Sequence, residues 1–439
     1  MAKRKPGRRP PAGGSNGSPR SASNETPATT APGDGKAAVA EGLFLVPGGG
    51  SPAGPMRILP SSAGDVDITF TDETARRAHI RDAQLAAISG ARRKVLFASF
   101  LFSDEAIVQA LCAASERLRG GVYVITALDK HMKADLSELD AEEDLSVDRR
   151  RERERKHEEL LRQMARAGVW LRSSSDAHAK LCVIDDEICA VTSANATNEA
   201  FESNPELALI VRHPGVARDL GRLFARVWLH GTTFDSEPGA DLNVKSRSAG
   251  RAPGWAPLKP NGDVRAVATL GSQERSLLEN TLEIIEGAEQ DLCIATYSVV
   301  AIEDHPVGIA LRKAARRGVR IQLVVQPKNQ REDQRNSLAW LVRGAPGKVL
   351  VRGLARTHAK AIVADGAHAL MWTGNLDGRH GYESGFEVGL ATRRPALVEG
   401  LRAYVQELFD RASFRPVLDP KVDFLQAHGI EPSVRRGSR

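Results

Sequence analysis

Cysteine, aromatic side chains and long apolar runs are all scarce in this chain of 439 residues. Its four cysteines lie in apolar stretches without a Cys-x-x-Cys spacing, which predicts buried, reduced thiols rather than disulfides or zinc ligands. No apolar run has the length of a membrane span, and no secretion signal opens the sequence. A stripe of mixed aromatic and basic residues, typical of single-strand binding, is also missing. We therefore expect a cytoplasmic protein without a transmembrane segment.

Positive charge is concentrated at the two ends of the chain. Residues 1–40 contain seven Lys or Arg against two acids, and residues 431–439 contain three against one. Since the net charge of the whole chain is +6, the remainder is close to neutral. Such tails can bind a polyanion, either nucleic acid or an anionic membrane surface. The alternative is that they are only solubilising, disordered ends.

The body of the chain has the pattern of an α/β protein. Its length exceeds one ordinary core, and apolar strands alternate with helices of 10–15 residues. We expect two similar lobes, each a sheet with helices on both faces, related by a pseudo-twofold axis. The predicted parts are a basic tail and irregular lead-in, a first lobe, a Pro/Gly-rich linker, a second lobe and a C-terminal tail: 1–65, 66–234, 235–263, 264–418 and 419–439.

One internal segment, residues 129–160, is unusually rich in charge and includes DRRRERERKHEE. The pattern over 147–160 predicts a solvated helix with ion pairs between residues four apart. A lid or a partner-docking role is the alternative.

The strongest signal is an internal repeat with an offset of 180 residues. The sequence HAKLCVIDDEICAVTSAN starts at His178, and HAKAIVADGAHALMWTGN starts at His358. A glutamate follows each copy inside an apolar stretch, Glu206 in NPELALIV and Glu387 in SGFEVGLAT. We expect the HAK triplets to lie on strands, so that each histidine and its lysine share one face.

These residue types suit displacement at a phosphodiester. Two imidazoles can divide the work between nucleophile and general acid, because the pKa of histidine lies near neutrality. Lysine and asparagine side chains can stabilise the non-bridging oxygens, and a buried glutamate can orient each imidazole. No metal ion or cofactor is required, and the acids are not spaced as a metal cluster. The candidate catalytic residues are His178, Lys180, Asn195, Glu206, His358, Lys360, Asn375 and Glu387.

The repeated motif resembles that of the phospholipase D superfamily, in which His-x-Lys is followed by Asp and then by a Gly-Ser-x-Asn-like end. The resemblance covers about residues 66–415 and implies two similar α/β lobes, each a mixed sheet flanked by helices, with one active site between them. It also implies a covalent phospho-histidine, with His178 as the favoured nucleophile. It assigns supporting roles to Asp185 and Asp365. The usual Gly-Ser pair is replaced by Thr192-Ser193 and by Trp372-Thr373, so the hydroxyl position is kept as Ser193 and Thr373 while the glycines are lost.

The motif indicates the reaction more closely than the substrate. The basic tails favour a nuclease acting on nucleic acid. The first alternative is a phospholipase D or cardiolipin synthase-like phosphatidyltransferase acting on anionic phospholipid, and the second is a non-enzymatic nucleic-acid-binding module. Because both motif copies lie in one chain, no oligomer is required to form the site.

Overall fold

Two β-sheets form the frame of the protein. The computed structural model describes residues 38–49, 54–128, 147–174, 177–259, 262–378 and 380–431. The strands of the first sheet are β2 (Ser61–Ala63), β3 (Val66–Asp72), β5 (Val95–Ala98), β6 (Val122–Ile125), β7 (Trp170–Ser173), β8 (Leu181–Ile184), β9 (Ile188–Thr192), β10 (Leu207–Val211), β11 (Phe234–Ser236) and β12 (Val244–Ser246), with β4 (Arg77–Ala78) paired to β3. The strands of the second sheet are β1 (Leu43–Pro47), β13 (Val264–Leu270), β14 (Asp291–Thr296), β16 (Arg320–Val325), β17 (Val349–Gly353), β18 (Ala361–Ala364), β19 (His368–Trp372), β21 (Phe386–Thr392) and β22 (Phe414–Leu418). A separate pair joins β15 (Val299–Val300) to β20 (Leu376–Asp377).

The central strands of the two sheets follow the same order. In the first sheet this order is β7-β6-β5-β8-β9-β10-β3, and in the second it is β17-β16-β14-β18-β19-β21-β13. In each case three strands are parallel and the remaining four continue the sheet in antiparallel pairs. The expectation of two similar lobes with mixed sheets is therefore confirmed.

Helices cover the outer faces of both sheets and fill the space between them. They are α1 (His79–Gly90), α2 (Glu105–Arg117), α3 (Val147–Arg166), α4 (Asn198–Glu202), α5 (Pro214–His230), α6 (Ser276–Gly287), α7 (Pro306–Arg317), α8 (Glu332–Gly344), α9 (Pro395–Arg411) and α10 (Val422–Ala427). The helices α5 and α9 pack with the inner faces of both sheets in one apolar core. The outer cores are formed with α1, α2 and α3 on one side and α6, α7 and α8 on the other.

Several helices begin where the sequence offers a cap. The Asp104 carboxylate accepts a hydrogen bond from the Ile107 amide at 2.9 Å at the start of α2. Both α5 and α7 start with proline preceded by a histidine whose ring nitrogen accepts from the first turn. These local signals position the helices that close each lobe.

The structure differs from the sequence expectation outside the central strands. Residues 43–47, expected in an irregular lead-in, form β1 and pair with β22 of the second sheet. The reason is burial, because LFLV is fully apolar and its four side chains are at most 2% exposed. The expected linker contributes β11 and β12 to the first sheet, and the expected C-terminal tail contains α10.

Other expectations concern individual segments. All four cysteines are buried and reduced, as predicted. The helix expected over 147–160 extends to Arg166 as α3, and an ion pair between residues four apart joins Glu158 to Arg162, just beyond the expected segment, at 2.6 Å. The basic tail up to residue 37, residues 129–146 and residues 432–439 lie outside the described residues. Among the described helices, none is sufficiently long and apolar to cross a membrane.

Candidate active site

The two HAK triplets lie at the junction of the lobes. Contrary to the expectation that they lie on strands, each precedes its strand: β8 begins at Leu181 and β18 at Ala361. The cause is a change of hydrogen-bond partner. The His178 amide donates to the Phe386 carbonyl at 3.2 Å, and the His358 amide donates to the Pro205 carbonyl at 3.0 Å. Each triplet is thus held by backbone of the opposite lobe.

The histidines and glutamates form two crossed pairs. Nδ1 of His178 lies 2.7 Å from Oε1 of Glu387, and Nδ1 of His358 lies 2.8 Å from Oε1 of Glu206. Each glutamate therefore orients the histidine of the other lobe rather than that of its own repeat. The pairs are deeply placed, since the side chains of His178 and His358 are 12% and 5% exposed.

The hydroxyl groups kept in the motif hold these glutamates. Ser193 Oγ donates to Glu206 Oε2, and Thr373 Oγ1 donates to Glu387 Oε2. Both hydroxyls also accept a backbone amide, from Leu207 at 2.9 Å and from Val388 at 3.1 Å. Each carboxylate is therefore fixed on one oxygen by a hydroxyl and on the other by an imidazole, which restricts its rotation.

Each motif lysine is bound to the histidine of its own triplet. Each lysine donates to the carbonyl of its own histidine at 2.7 Å. Lys180 Nζ also lies 2.7 Å from Nε2 of His178. Because an ammonium group can only donate, Nε2 of His178 is the acceptor and its proton is on Nδ1, facing Glu387. This tautomer leaves a nucleophilic lone pair on Nε2.

Charge is distributed unequally between the two pairs. Burial lowers the pKa of His178, and the neighbouring Lys180 lowers it further. Burial would raise the pKa of Glu387, but His178, Lys180 and Thr373 together bring it below its ordinary value. In the other pair, burial raises the pKa of Glu206 to about 7 against the opposing effect of Lys360. At neutral pH, Glu387 is thus a carboxylate beside a neutral His178, whereas the Glu206 carboxyl has a pKa close to neutrality.

The asparagines follow β9 and β19 by three residues in each lobe. Asn195 is buried, and its Oδ1 accepts from the Phe100 amide at 3.3 Å. Asn375 Oδ1 has no hydrogen-bond partner among the described residues. The asparagine of the first lobe is therefore engaged by its own loop, whereas the second retains an unused acceptor.

The motif aspartates lie in the turns at the far ends of β8 and β18. Asp185 accepts the amides of residues 92–94 at 2.7–2.9 Å, and Asp365 accepts those of residues 289–291 at 2.8–2.9 Å. Both have a left-handed backbone, with φ of 56° and 52°. They fasten the turn to the segment that leads into the neighbouring central strand and do not reach the histidines.

Aromatic rings absent from the sequence prediction complete the site. The ring of Phe100 lies edge-on to His178 with a centroid distance of 6.2 Å, and that of Tyr297 lies edge-on to His358 at 5.2 Å. The strand register makes these two residues equivalent, because Ala98 and Ala295 occupy matching places beside β8 and β18. Neither aromatic residue stands out in the sequence, because each simply follows an apolar strand. Lys328 Nζ lies 3.9 Å from the Tyr297 ring centre.

The loops that hold these rings are clamped in both lobes. In the first, His157 of α3 accepts the Phe102 amide on Nδ1 at 3.1 Å and lies 2.9 Å from the Ala127 carbonyl through Nε2. In the second, Gln334 of α8 donates to the Gln326 carbonyl at 2.9 Å. Sequence reasoning missed both residues, because one lies in a charged run and the other in a polar helix start. In the described part of the chain, no three His, Cys, Asp or Glu side chains are grouped as metal ligands.

The fold is similar to that of a solved structure. Phosphatidylserine synthase from Haemophilus influenzae aligns with a TM-score of 0.54 and 13% identity, over 83% of this chain and 90% of that one. Two shorter proteins, Nuc from Salmonella typhimurium and NucT from Helicobacter pylori, each align over 35% of this chain and 97% or 99% of their own, with TM-scores of 0.30 and identities of 18% and 19%. No curated protein sequence matches the chain.

The match to a protein family covers both lobes. The family model described as "Cardiolipin synthase, PLD-like domain" matches residues 85–228 and 281–409, which is more than half of the chain. Each matched segment contains one copy of the motif, and each includes the strands that carry it. The protein is therefore a member of the phospholipase D superfamily, an enzyme of the phosphodiesterase or phosphatidyltransferase kind.

Proposed function

We propose that the protein is a metal-independent nuclease that hydrolyses phosphodiester bonds through a covalent phospho-histidine. The observation that carries the chemistry is the crossed pairing of His178 with Glu387 and of His358 with Glu206. Two oriented imidazoles at one junction provide both a nucleophile and a proton donor. The basic tails support a polyanionic substrate.

His178 is the better candidate for the nucleophile. Its Nε2 lone pair faces Lys180, and its pKa is lowered by burial and by that lysine. In the first step Nε2 of His178 attacks phosphorus, the bond to the leaving oxygen breaks, and the protonated His358 transfers its proton to that oxygen. Glu387 stabilises the positive charge that develops on the attacking ring.

The second step reverses these roles. His358, now neutral, removes a proton from water, the resulting hydroxide attacks phosphorus, and the phosphorus–nitrogen bond to His178 breaks. Both histidines return to their initial protonation states. Lys180, Lys360 and the motif asparagines would stabilise the non-bridging oxygens while charge shifts onto them. Because these groups supply the required positive charge, we expect no need for a metal ion.

Phosphatidyl transfer is the second candidate. The matching family model includes cardiolipin synthase in its description, and the same two-step chemistry would transfer a phosphatidyl group to an alcohol in place of water. The third candidate, a nucleic-acid-binding module without turnover, is disfavoured because both motif copies are complete.

One parallel assay separates the candidates. Single-stranded DNA, double-stranded DNA, RNA and phospholipid vesicles are each incubated with the protein in excess EDTA. Nucleotide release that disappears in the His178→Ala variant supports the nuclease. Release or exchange of a lipid head group supports the transferase, and binding without turnover supports the third candidate. An absolute requirement for added Mg²⁺ or Mn²⁺ would contradict metal independence.

A further inference from the structure

A third lysine lies beside the catalytic junction, outside the repeated motif. Lys328 is 7% exposed, and its ammonium group lies 3.9 Å from the centre of the Tyr297 ring. That ring lies 5.2 Å from the centre of the His358 imidazole. The distance from the ammonium to the imidazole centre therefore cannot exceed the sum of these two distances. A cation over an aromatic face is held electrostatically, most strongly where water is excluded.

The backbone around Lys328 is fixed rather than loose. The Gln326 amide donates to the Tyr297 carbonyl at 3.3 Å, which ties the loop after β16 to the end of β14. The Arg331 amide donates to the Lys328 carbonyl at 3.1 Å, and Gln334 clamps the Gln326 carbonyl at 2.9 Å. Lys328 is thus carried by a loop with several defined contacts, so its charge has a definite place beside the site.

Lys328 adds a cation to those of the motif. The motif contributes one lysine to each lobe, and Lys328 follows β16 of the second lobe, on the His358 side of the junction.

The position of Lys328 suits a second anionic group of the substrate, next to the phosphate that reacts. Lys180 and Lys360 already accompany the two histidines at the junction. A nucleic-acid strand has one negative charge per nucleotide, so a phosphate next to the scissile one reaches past the junction. An isolated phosphodiester has no such second charge. The ammonium group of lysine is a compact charge that commonly binds phosphate.

We propose that Lys328, held against Tyr297, forms a subsite for the phosphate adjacent to the scissile one. The proposal rests on the proposed function, in which the substrate is a nucleic-acid strand. If His358 protonates the leaving oxygen, this subsite holds the departing strand. The protein would then discriminate in favour of substrates with neighbouring phosphates.

The test measures binding without turnover. Calorimetric titration compares adenosine 3′,5′-bisphosphate, which has two phosphates, with adenosine 5′-monophosphate, which has one. We expect the full chain to bind the bisphosphate about tenfold more tightly, the equivalent of about 1.4 kcal/mol. Lys328→Met should remove this advantage and change monophosphate affinity less than twofold. Lys328→Arg keeps the charge and should keep most of the advantage, which separates loss of charge from disturbance of the loop.

Lys313→Met, which alters an exposed lysine of α7, is the matched control and should bind both ligands as the unaltered chain does. Three results would overturn the subsite: no bisphosphate advantage in the unaltered chain, an advantage that persists in Lys328→Met, or equal weakening of both ligands. Hydrolysis of oligonucleotides is measured separately. Its absence would contradict the nuclease, whatever the result of the binding experiment.

Discussion

The two halves of the candidate active site share their frame but differ in charge. On one side, burial and Lys180 lower the pKa of His178, and the paired Glu387 also has a lowered pKa. On the other, the Glu206 that pairs with His358 has a pKa raised to about 7. This difference in charge is what the proposed division into nucleophile and proton donor would use. A repeat can supply duplicate parts, and their surroundings then assign different roles.

The sharpest test of this comparison is removal of either histidine. His178→Ala and His358→Ala should each lower kcat/KM on the order of a thousandfold, because paired catalytic groups act as a unit. Circular dichroism and thermal melting would check that the fold is retained. Trapping and mapping the phosphorylated residue then assigns the nucleophile. A phosphate on His358 would reverse the two halves, and one on neither histidine would refute the covalent mechanism.

Replacement of each glutamate by glutamine tests the difference in pKa between the two His–Glu pairs. We expect Glu387→Gln and Glu206→Gln each to cost about a hundredfold in kcat, because each imidazole loses its orienting carboxylate. The pH profile distinguishes them. His178 has a lowered pKa and must be neutral, so activity should fall only as pH drops below about 6.5.

The loss of activity at high pH, the alkaline limb of the profile, should depend on the Glu206–His358 pair. His358 must begin protonated in the proposed mechanism, so activity should be lost as pH rises through the range in which this imidazole releases its proton. Glu206→Gln should move this alkaline limb and leave the acid limb in place. If Glu387→Gln moves the alkaline limb instead, the roles of the halves are reversed.

The loop clamps provide a smaller test. His157 makes two backbone contacts in the first lobe, and Gln334 makes one in the second, since Gln334 Oε1 has no hydrogen-bond partner among the described residues. His157→Leu should misplace the loop that carries Phe100 and lower kcat about tenfold. His157→Gln copies the second lobe and should recover most of the rate. Arg155→Ala, an exposed change on α3, is the control. Equal rates for the Leu and Gln variants would exclude a positioning role.

The smallest effect on chemistry is expected from removal of the basic ends of the sequence. A chain trimmed to residues 41–430 loses the basic ends and keeps β1 and α10. Turnover at saturating substrate should be unchanged. Apparent affinity for a polyanion should fall, and its dependence on salt should weaken, because fewer counterions are released. An unchanged salt slope would mean that the folded body alone binds the polyanion.

The site residues that could be predicted from the sequence are those that recur in both copies of the repeat. The residues that recur at an offset of 180 or 181 positions include both histidines and both glutamates, and the structure brings these four together. Their catalytic roles remain predictions. Spacing could not reveal that the pairs are crossed, because this depends on which lobe supplies the backbone beside each triplet. Lys328 and His157 were missed because neither recurs.

The strand β1 was missed for a different reason. Its five residues stand alone after a long polar stretch and before a Gly-rich one, with no neighbouring strand in sequence. Its partner, β22, is more than 360 residues away along the chain. Pairing over such a separation leaves no local pattern, and only burial in the second sheet stabilises the strand.

The crossed pairs have a consequence for synthesis of the protein. A ribosome makes His178 long before Glu387, and the first lobe emerges while its histidine still lacks an orienting carboxylate. The partner of β1 is made later still, at residues 414–418. A nascent chain can therefore fold its first sheet without assembling a competent site. The crossed site would thus stay incomplete during synthesis until the segment that contains Glu387 has been made.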